Sequence, residues 1–172
     1  MMPSNSKLVF REVEQRDLPT FREIFNENIL AGDATLWQNP FTLEDLQELH
    51  STLGEREKMF VAAHGDQVIG IGFIKKYHPK KGYDYACDTS VFLRRNQLRK
   101  GYGTQFKQFI LAECRRLNYH HAVAKILATN QASINYNLKQ GYEMVGIQKE
   151  IGRRNDQWVD VAILQYIFSE NE

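Results

Sequence analysis

The sequence predicts an α/β (α+β) fold: one three-layer αβα domain around a mixed, largely antiparallel sheet of six to seven strands. Three observations lead there. The chain has 172 residues, 42% hydrophobic and 25% charged, which suits one ordinary core and leaves no room for a second. Its apolar residues switch between strand and helix spacing in the order β-α-α-β-β-β-α-β-α-β-β. Three strand candidates follow one another in the middle, the first two joined by Gly65-Asp66, so the early sheet is antiparallel, while the later strands alternate with helices. No linker, low-complexity block or internal repeat divides the chain, so a single domain over 1–172, with an ordered core of about 8–168, is expected.

Each element has a local reason. Leu8, Val9 and Phe10 form a first strand. Asp17 can cap the next helix, with Pro19 in its first turn, Leu18, Phe21, Phe25 and Ile29 on one face, and Gly32 at its end. Thr42 and Asp45 have capping-box spacing ahead of the stripe Leu43, Leu46 and Leu49, which should fray near Gly54. Strands are expected at 59–63, 68–77 and 85–93. Beyond a turn at 94–100, Phe106, Phe109, Ile110, Cys114 and Leu117 repeat at helical spacing. A strand at 122–128, broken by Lys125, leads to a short helix at 130–139 that Gly141 ends. Strands at 142–147 and 158–168 flank a polar turn at 153–157.

Charge and cysteine usage exclude several classes. Lys plus Arg number 22 and Asp plus Glu 21, a net charge of +1, so no whole-protein field gathers nucleic acid or anionic membrane, and neither is an expected partner. The four cations at 94–100 are read as a solvated loop or as phosphate contacts. Cys87 and Cys114 fit a reducing compartment and cannot make a disulfide framework. His120 and His121 lack a third ligand at useful spacing, so no metal is expected. The longest stretch free of polar side chains, 68–74, is far below the roughly 20 residues of a membrane span. Residues 1–7 hold no apolar signal core, which makes cytoplasm the expected location.

The segment that carries chemistry is Asp88-Thr-Ser-Val-Phe-Leu93 followed by Arg99-Lys-Gly-Tyr-Gly-Thr104: a strand, a turn with two glycines, then a helix start. Gly101 and Gly103 permit positive φ and close backbone approach, so unpaired N–H groups at the helix start can converge on an anion such as a pyrophosphate. Thr104 adds a hydroxyl, and Arg94, Arg95, Arg99 and Lys100 add positive charge. A Walker A loop and a Rossmann fingerprint are both excluded, the latter because Phe106 stands where a third glycine belongs.

With these residues in place, the chain resembles the Gcn5-related N-acetyltransferases (GNAT), and among them the phosphinothricin and methionine sulfoximine acetyltransferase group. The resemblance runs from Leu8 to Phe168. It rests on Asn26-Glu-Asn-Ile29, Ala34-Thr35, Pro40-x-Thr42-Leu-Glu44, Ser90-Val-Phe-Leu93, Lys100-Gly-Tyr-Gly103, Asn130-Gln-Ala-Ser-Ile134, Gly141-Tyr142, Gly146, Glu150-x-Gly-Arg153 and Trp158-Val-Asp160. It implies acetyl-CoA as cosubstrate, with pantetheine on the backbone of Val91, Phe92 and Leu93. It also implies pyrophosphate on Arg99, Lys100, Gly101, Tyr102, Gly103 and Thr104, and Asn130 near the pantetheine arm. A strand that splays from its neighbour at a bulge would let the pantetheine amides complete the ladder.

Transfer of an acetyl group to an amine needs a base for the ammonium proton. Asp88 stands where the family carries a glutamate; one methylene shorter, it favours a bridging water. Cys87 alternates with Asp88 and points to the other face, which disfavours a thiol acyl-enzyme. Leu98 replaces a polar anchor of the pyrophosphate loop, predicting weaker coenzyme binding. Asn137 stands where many members carry a tyrosine that protonates the thiolate, and Tyr136, about 100° around the helix, is read as packing. The acceptor side is expected to draw on His78, Lys80, Asp84, Thr89 and Ser90, with Asp84 and Asp88 together favouring a cationic amine. Trp37, Tyr83, Tyr85 and Trp158 are candidate pocket aromatics. The expected function is transfer of acetyl to a small-molecule primary amine by direct attack in a ternary complex, with a homodimer as candidate assembly. An acyl-CoA-binding module and a protein N-acetyltransferase are the alternatives.

Overall fold

The expected order of strands and helices is present in the computed structural model, which describes residues 7–170; segment 1–6, read above for a signal core, lies outside it. The elements are β1 (Leu8–Glu12), α1 (Leu18–Ala31), α2 (Leu43–Ser51), β2 (Lys58–His64), β3 (Gln67–Lys76), β4 (Ala86–Leu93), α3 (Tyr102–Arg116), β5 (His121–Leu127), α4 (Gln131–Lys139), β6 (Glu143–Arg154) and β7 (Gln157–Ile167). The strands form one sheet in the order β1-β2-β3-β4-β5-β7-β6. Its β4–β5 pair is parallel and every other neighbouring pair is antiparallel.

Local chemistry explains most boundaries. Thr42 and Asp45 cap α2 reciprocally, Asp45 N–H donating to Thr42 Oγ1 at 3.1 Å and Thr42 N–H to Asp45 Oδ2 at 2.7 Å. Gly32 ends α1 at φ 81°. Asp17 departs from its expected role. Its carboxylate accepts two bonds from Arg11 at 2.6 and 2.9 Å and one from Glu14 N–H at 2.8 Å, so it closes the turn before α1 without capping the helix. β6 runs seven residues past its expected end at Ile147. Register shifts at 144–146 and 148–152 let its polar residues stay in an edge strand, and Asn155 and Asp156, at φ 47° and 60°, turn the hairpin.

The sheet separates two cores. On one face α1 and α2 bury Phe21, Ile24, Phe25, Ile29 and Leu46 against Met59, Val61, Ile71 and Phe73. On the other, α3 and α4 bury Phe106, Ile110, Cys114 and Ile134 against Phe60, Ile69, Cys87, Ala122, Ala124 and Leu164. The first core draws its strand residues from β2 and β3; the second reaches β5 and β7 as well. The α1 and α2 face is therefore left without this cover over β5 to β7, and the candidate site lies at that margin.

Candidate active site

β4 and β5 pair at Ala86↔His121, Cys87↔Ala122 and Asp88↔Val123, and then separate although both strands continue. The β3–β4 ladder passes this point with no register shift, so the splay is a parting of two strands and not the bulge expected from sequence. Tyr77 N–H donates to the Ala86 carbonyl and Arg94 N–H to that of Ile69. Even-numbered residues of β4 thus bond to β3, and alternation turns the backbone groups of Val91 and Leu93 toward the gap. The Leu93 carbonyl is taken by Asn28 Nδ2 at 3.0 Å, which leaves the Leu93 N–H and both groups of Val91 facing it. Phe92 gives its backbone to β3 and its ring to Phe25, 5.4 Å away.

The gap opens into a cleft of about 580 Å³ lined by Asp88, Thr89, Ser90, Val91, Phe92, Lys107, Lys125, Asn137 and the 34–37 loop, among others. Arg154 donates from Nη1 to the Thr35 carbonyl at 2.5 Å and from Nη2 to that of Ile29 at 3.0 Å, tying the 34–37 loop to the end of β6. Asp88 lies at the point of parting, and its Oδ2 accepts from Lys125 Nζ at 2.8 Å. Burial raises the Asp88 carboxyl above its ordinary value, against the Lys125 ammonium that draws it down. Cys87 is on the opposite face, its Sγ 3.6 Å from that of Cys114.

That opposite face carries a polar network. Thr89 Oγ1 donates to the Val123 carbonyl at 3.2 Å, lies 2.9 Å from Tyr142 Oη and accepts from Lys107 Nζ at 3.0 Å. The Lys107 ammonium is 4.7 Å from the centre of the Tyr142 ring, and its burial lowers its pKa to about 8. Asn137 is 4% exposed; its Nδ2 donates to the Ser133 carbonyl at 2.9 Å, while its Oδ1 is buried without a hydrogen-bond partner. Tyr136 donates to the Gly103 carbonyl and so fastens α4 to the start of α3, and burial raises its hydroxyl well above the ordinary tyrosine value. A packing role suits it.

Gly101 stands at φ 81° as the residue before α3, and Arg99 is also left-handed at φ 63°. The first α3 turn has no side-chain cap, and its first intrahelical bond runs from Gln105 N–H to the Gly101 carbonyl at 3.4 Å. The N–H groups of Tyr102, Gly103 and Thr104 therefore have no acceptor within the helix. Gly103 is helical and does not use positive φ; the space beside it holds Leu93 and Tyr136. The expected cluster of four cations is divided. Arg95 makes a two-bond ion pair with Asp33 at 2.8 and 2.7 Å and Arg94 pairs with Glu23 at 3.2 Å, leaving Arg99 and Lys100 on the turn.

Other expected residues lie elsewhere. Asn130 caps α4 through Oδ1 and donates to the Asp33 carbonyl at 3.2 Å, so both ends of its amide are engaged. His78, Lys80 and Asp84 are not among the residues lining the cleft. His78 Nδ1 accepts from Lys80 N–H at 3.0 Å, and Asp84 pairs with Lys76 at 3.2 Å, so Asp84 does not join Asp88. Thr89 and Ser90 do line it, as does Trp37; Tyr83 and Tyr85 line a separate cavity of about 390 Å³, and Trp158 is exposed beside Arg153. Sequence reasoning missed Lys107, Lys125 and Lys75. The signal for Lys107 was a charge four residues before Leu111 and seven before Cys114, on the buried face of α3.

A mixed sheet parted beside an uncapped helix start, with a carboxylate at the fork, leaves a cleft that an extended ligand can enter. The chain matches the acetyltransferase (GNAT) domain over residues 10–163, and it belongs to that family of acetyltransferases, whose cosubstrate is acetyl-CoA. A relative from Pseudomonas aeruginosa, L-methionine sulfoximine/L-methionine sulfone acetyltransferase, is 27% identical over 159 residues, 90% of this chain and 91% of its own. The ribosomal-protein-alanine N-acetyltransferase structure from Brucella melitensis is 27% identical with a TM-score of 0.88, covering 93% of this chain and 99% of that one. A phosphinothricin acetyltransferase from Sinorhizobium meliloti, solved with acetyl-CoA, shares the fold at a TM-score of 0.88 and 24% identity, covering 95% of this chain and 89% of that one.

Proposed function

We propose that this enzyme acetylates the primary amine of an amino-acid-like small molecule by direct attack in a ternary complex, with Asp88 as base. The observation that carries the reading is the gap between β4 and β5, with backbone groups of Val91 and Leu93 along it and Asp88 at its fork. The residues suit acetyl-CoA. Val91 and Leu93 offer the ladder that pantetheine amides complete, the unpaired N–H groups of Tyr102 to Thr104 and the charges of Arg99 and Lys100 suit a pyrophosphate, and the orphan Asn137 Oδ1 is an acceptor for a ligand N–H. Asp88 takes the ammonium proton, directly or through one water, and the N–H beside Phe92 polarises the thioester carbonyl.

The acceptor preference is revised toward a carboxylate-bearing amine. Lys75 and Lys125 line the cleft on the Asp88 side, whereas Asp84 is spent on Lys76. Lys75 is shared with Glu57 at 3.3 Å and Lys125 with Asp88, so the local balance does not favour a polycation. A homodimer belongs to the same reading, through the edge strand β6, where Val145, Ile147 and Ile151 are exposed.

The test is a thermal-shift titration with acetyl-CoA followed by free-thiol release across an amine panel. Amino-acid analogues such as methionine sulfoximine should exceed polyamines and aminoglycosides. Asp88→Asn should lower kcat about 100-fold or more with acetyl-CoA stabilisation retained. Stabilisation without thiol release for any amine, or full activity in Asp88→Asn, would refute the assignment.

A further inference from the structure

We propose that Lys107 supplies the proton taken up by the departing coenzyme sulfur. The inference rests on the acetyl-transfer reading and deepens it. Three observations carry it.

The first is position. Any extended ligand that fills the gap between β4 and β5 as an added strand must stop where the two strands begin to pair, at Asp88↔Val123. Thr89 is the next residue of β4, and Lys107 Nζ rests on its hydroxyl at 3.0 Å. Asp88 and Thr89 are consecutive, so their side chains leave opposite faces of the sheet. The reactive end of such a ligand thus meets the Asp88 carboxylate on one face and the Lys107 ammonium on the other.

The second is isolation. The charged or titratable groups acting on Lys107 are Cys114 and Cys87, with no carboxylate among them. Thr89 from β4 accepts from it, the Tyr142 ring before β6 lies 4.7 Å from it, and the titratable Tyr136 and the neutral Asn137 from α4 line the same cleft. A buried ammonium whose named side-chain acceptor is one hydroxyl has N–H groups to spare for a ligand, and it lines the cleft. The third is the alternatives. Asn137 has no acidic proton, and the Tyr136 hydroxyl is committed to the Gly103 carbonyl.

The step balances. The amine nitrogen bonds to the carbonyl carbon, the carbon–sulfur bond breaks, and its electron pair stays on sulfur, which takes a proton from Lys107 Nζ. Two protons leave the acceptor nitrogen over the reaction, the first to Asp88, which passes it on to water, and the second from the nitrogen of the tetrahedral adduct to water directly. Lys107 recovers its proton from solvent as product leaves, so one proton is released to water for each amide made.

Two measurements test this. The ultraviolet absorbance of the thiolate, followed against pH for coenzyme A bound to the unmodified protein, should place the bound thiol's pKa below that of free coenzyme A. Lys107→Met should return it toward the free value. In steady state, Lys107→Met should lose about 100-fold in kcat with the KM for acetyl-CoA nearly unchanged, and should lose the alkaline fall of the kcat–pH profile. A bound thiol that titrates as in free coenzyme A overturns the proposal, even if the variant fails to fold. A variant with unchanged kcat and pH profile does the same. Failure of the unmodified protein to bind acetyl-CoA by calorimetry would instead overturn the acetyl-transfer reading, before any variant is made.

Discussion

Replacing Lys107 by methionine keeps the length of the side chain and removes its charge, which turns a buried ammonium into a measurable stability difference. Burial lowers Lys107 to about 8 from an ordinary 10.5, while in the unfolded chain it titrates at the ordinary value. The sign follows from that order. Below about pH 8 both states carry the proton and folding bears the whole cost of burying it; above about pH 10.5 both are neutral and the cost is gone. The gap between the two values corresponds to about 3 kcal/mol. Urea unfolding of the two proteins, near pH 7 and again near pH 10.5, isolates this contribution, because every other titrating group is common to both. The stability of Lys107→Met relative to the unmodified chain should fall by about 3 kcal/mol between those conditions. Packing differences between Met and Lys add a constant and do not alter this slope. A relative stability that is the same at both pH values would refute the placement of a charged Lys107 inside the protein.

Two further outcomes are expected. Asn137→Leu removes a buried acceptor that has no partner together with the Nδ2 bond to the Ser133 carbonyl, two opposing effects of about 1 kcal/mol each, so the free protein should keep its stability to within about 1 kcal/mol in denaturant unfolding, while acetyl-CoA binding measured by calorimetry should weaken; unchanged affinity would show that Oδ1 meets no ligand. Phe106→Ala, at a fully buried ring stacked 5.1 Å from Phe10, should cost about 3 to 5 kcal/mol by the same unfolding assay, and a loss below about 1 kcal/mol would contradict its place in the core.

What could be read in the sequence was local. Thr42 and Asp45 act across three residues, Gly32 and Gly65 at their own φ, and each did what its spacing predicts. Asp17 and the arginines of the β4–α3 turn went differently because their partners were distant or competed. Arg11 drew Asp17 from the helix cap, and Asp33 and Glu23 drew Arg95 and Arg94 from the phosphate turn. The fork at Asp88 depends on where two strands, 35 residues apart in their register, stop pairing, and no local pattern encodes that. Lys107 and Lys125 did interrupt apolar periodicities, and such interruptions mark where the fold departs from a plain core.

The two wings of the sheet share three backbone pairings, and the helices that cross between them lie on one side. On the other side of this seam the wings are joined by side-chain ties, Lys125 to Asp88 and Arg154 to the carbonyls of Ile29 and Thr35. Amide hydrogen exchange should therefore find the N–H groups of Val91 and Leu93 exchanging far faster than those of β2 and β3 in the free protein. A ligand laid along the seam adds the missing rungs. In the proposed binding mode the coenzyme's binding energy is spent partly on clamping the wings together, so that it would be a structural member of the enzyme as well as its reactant.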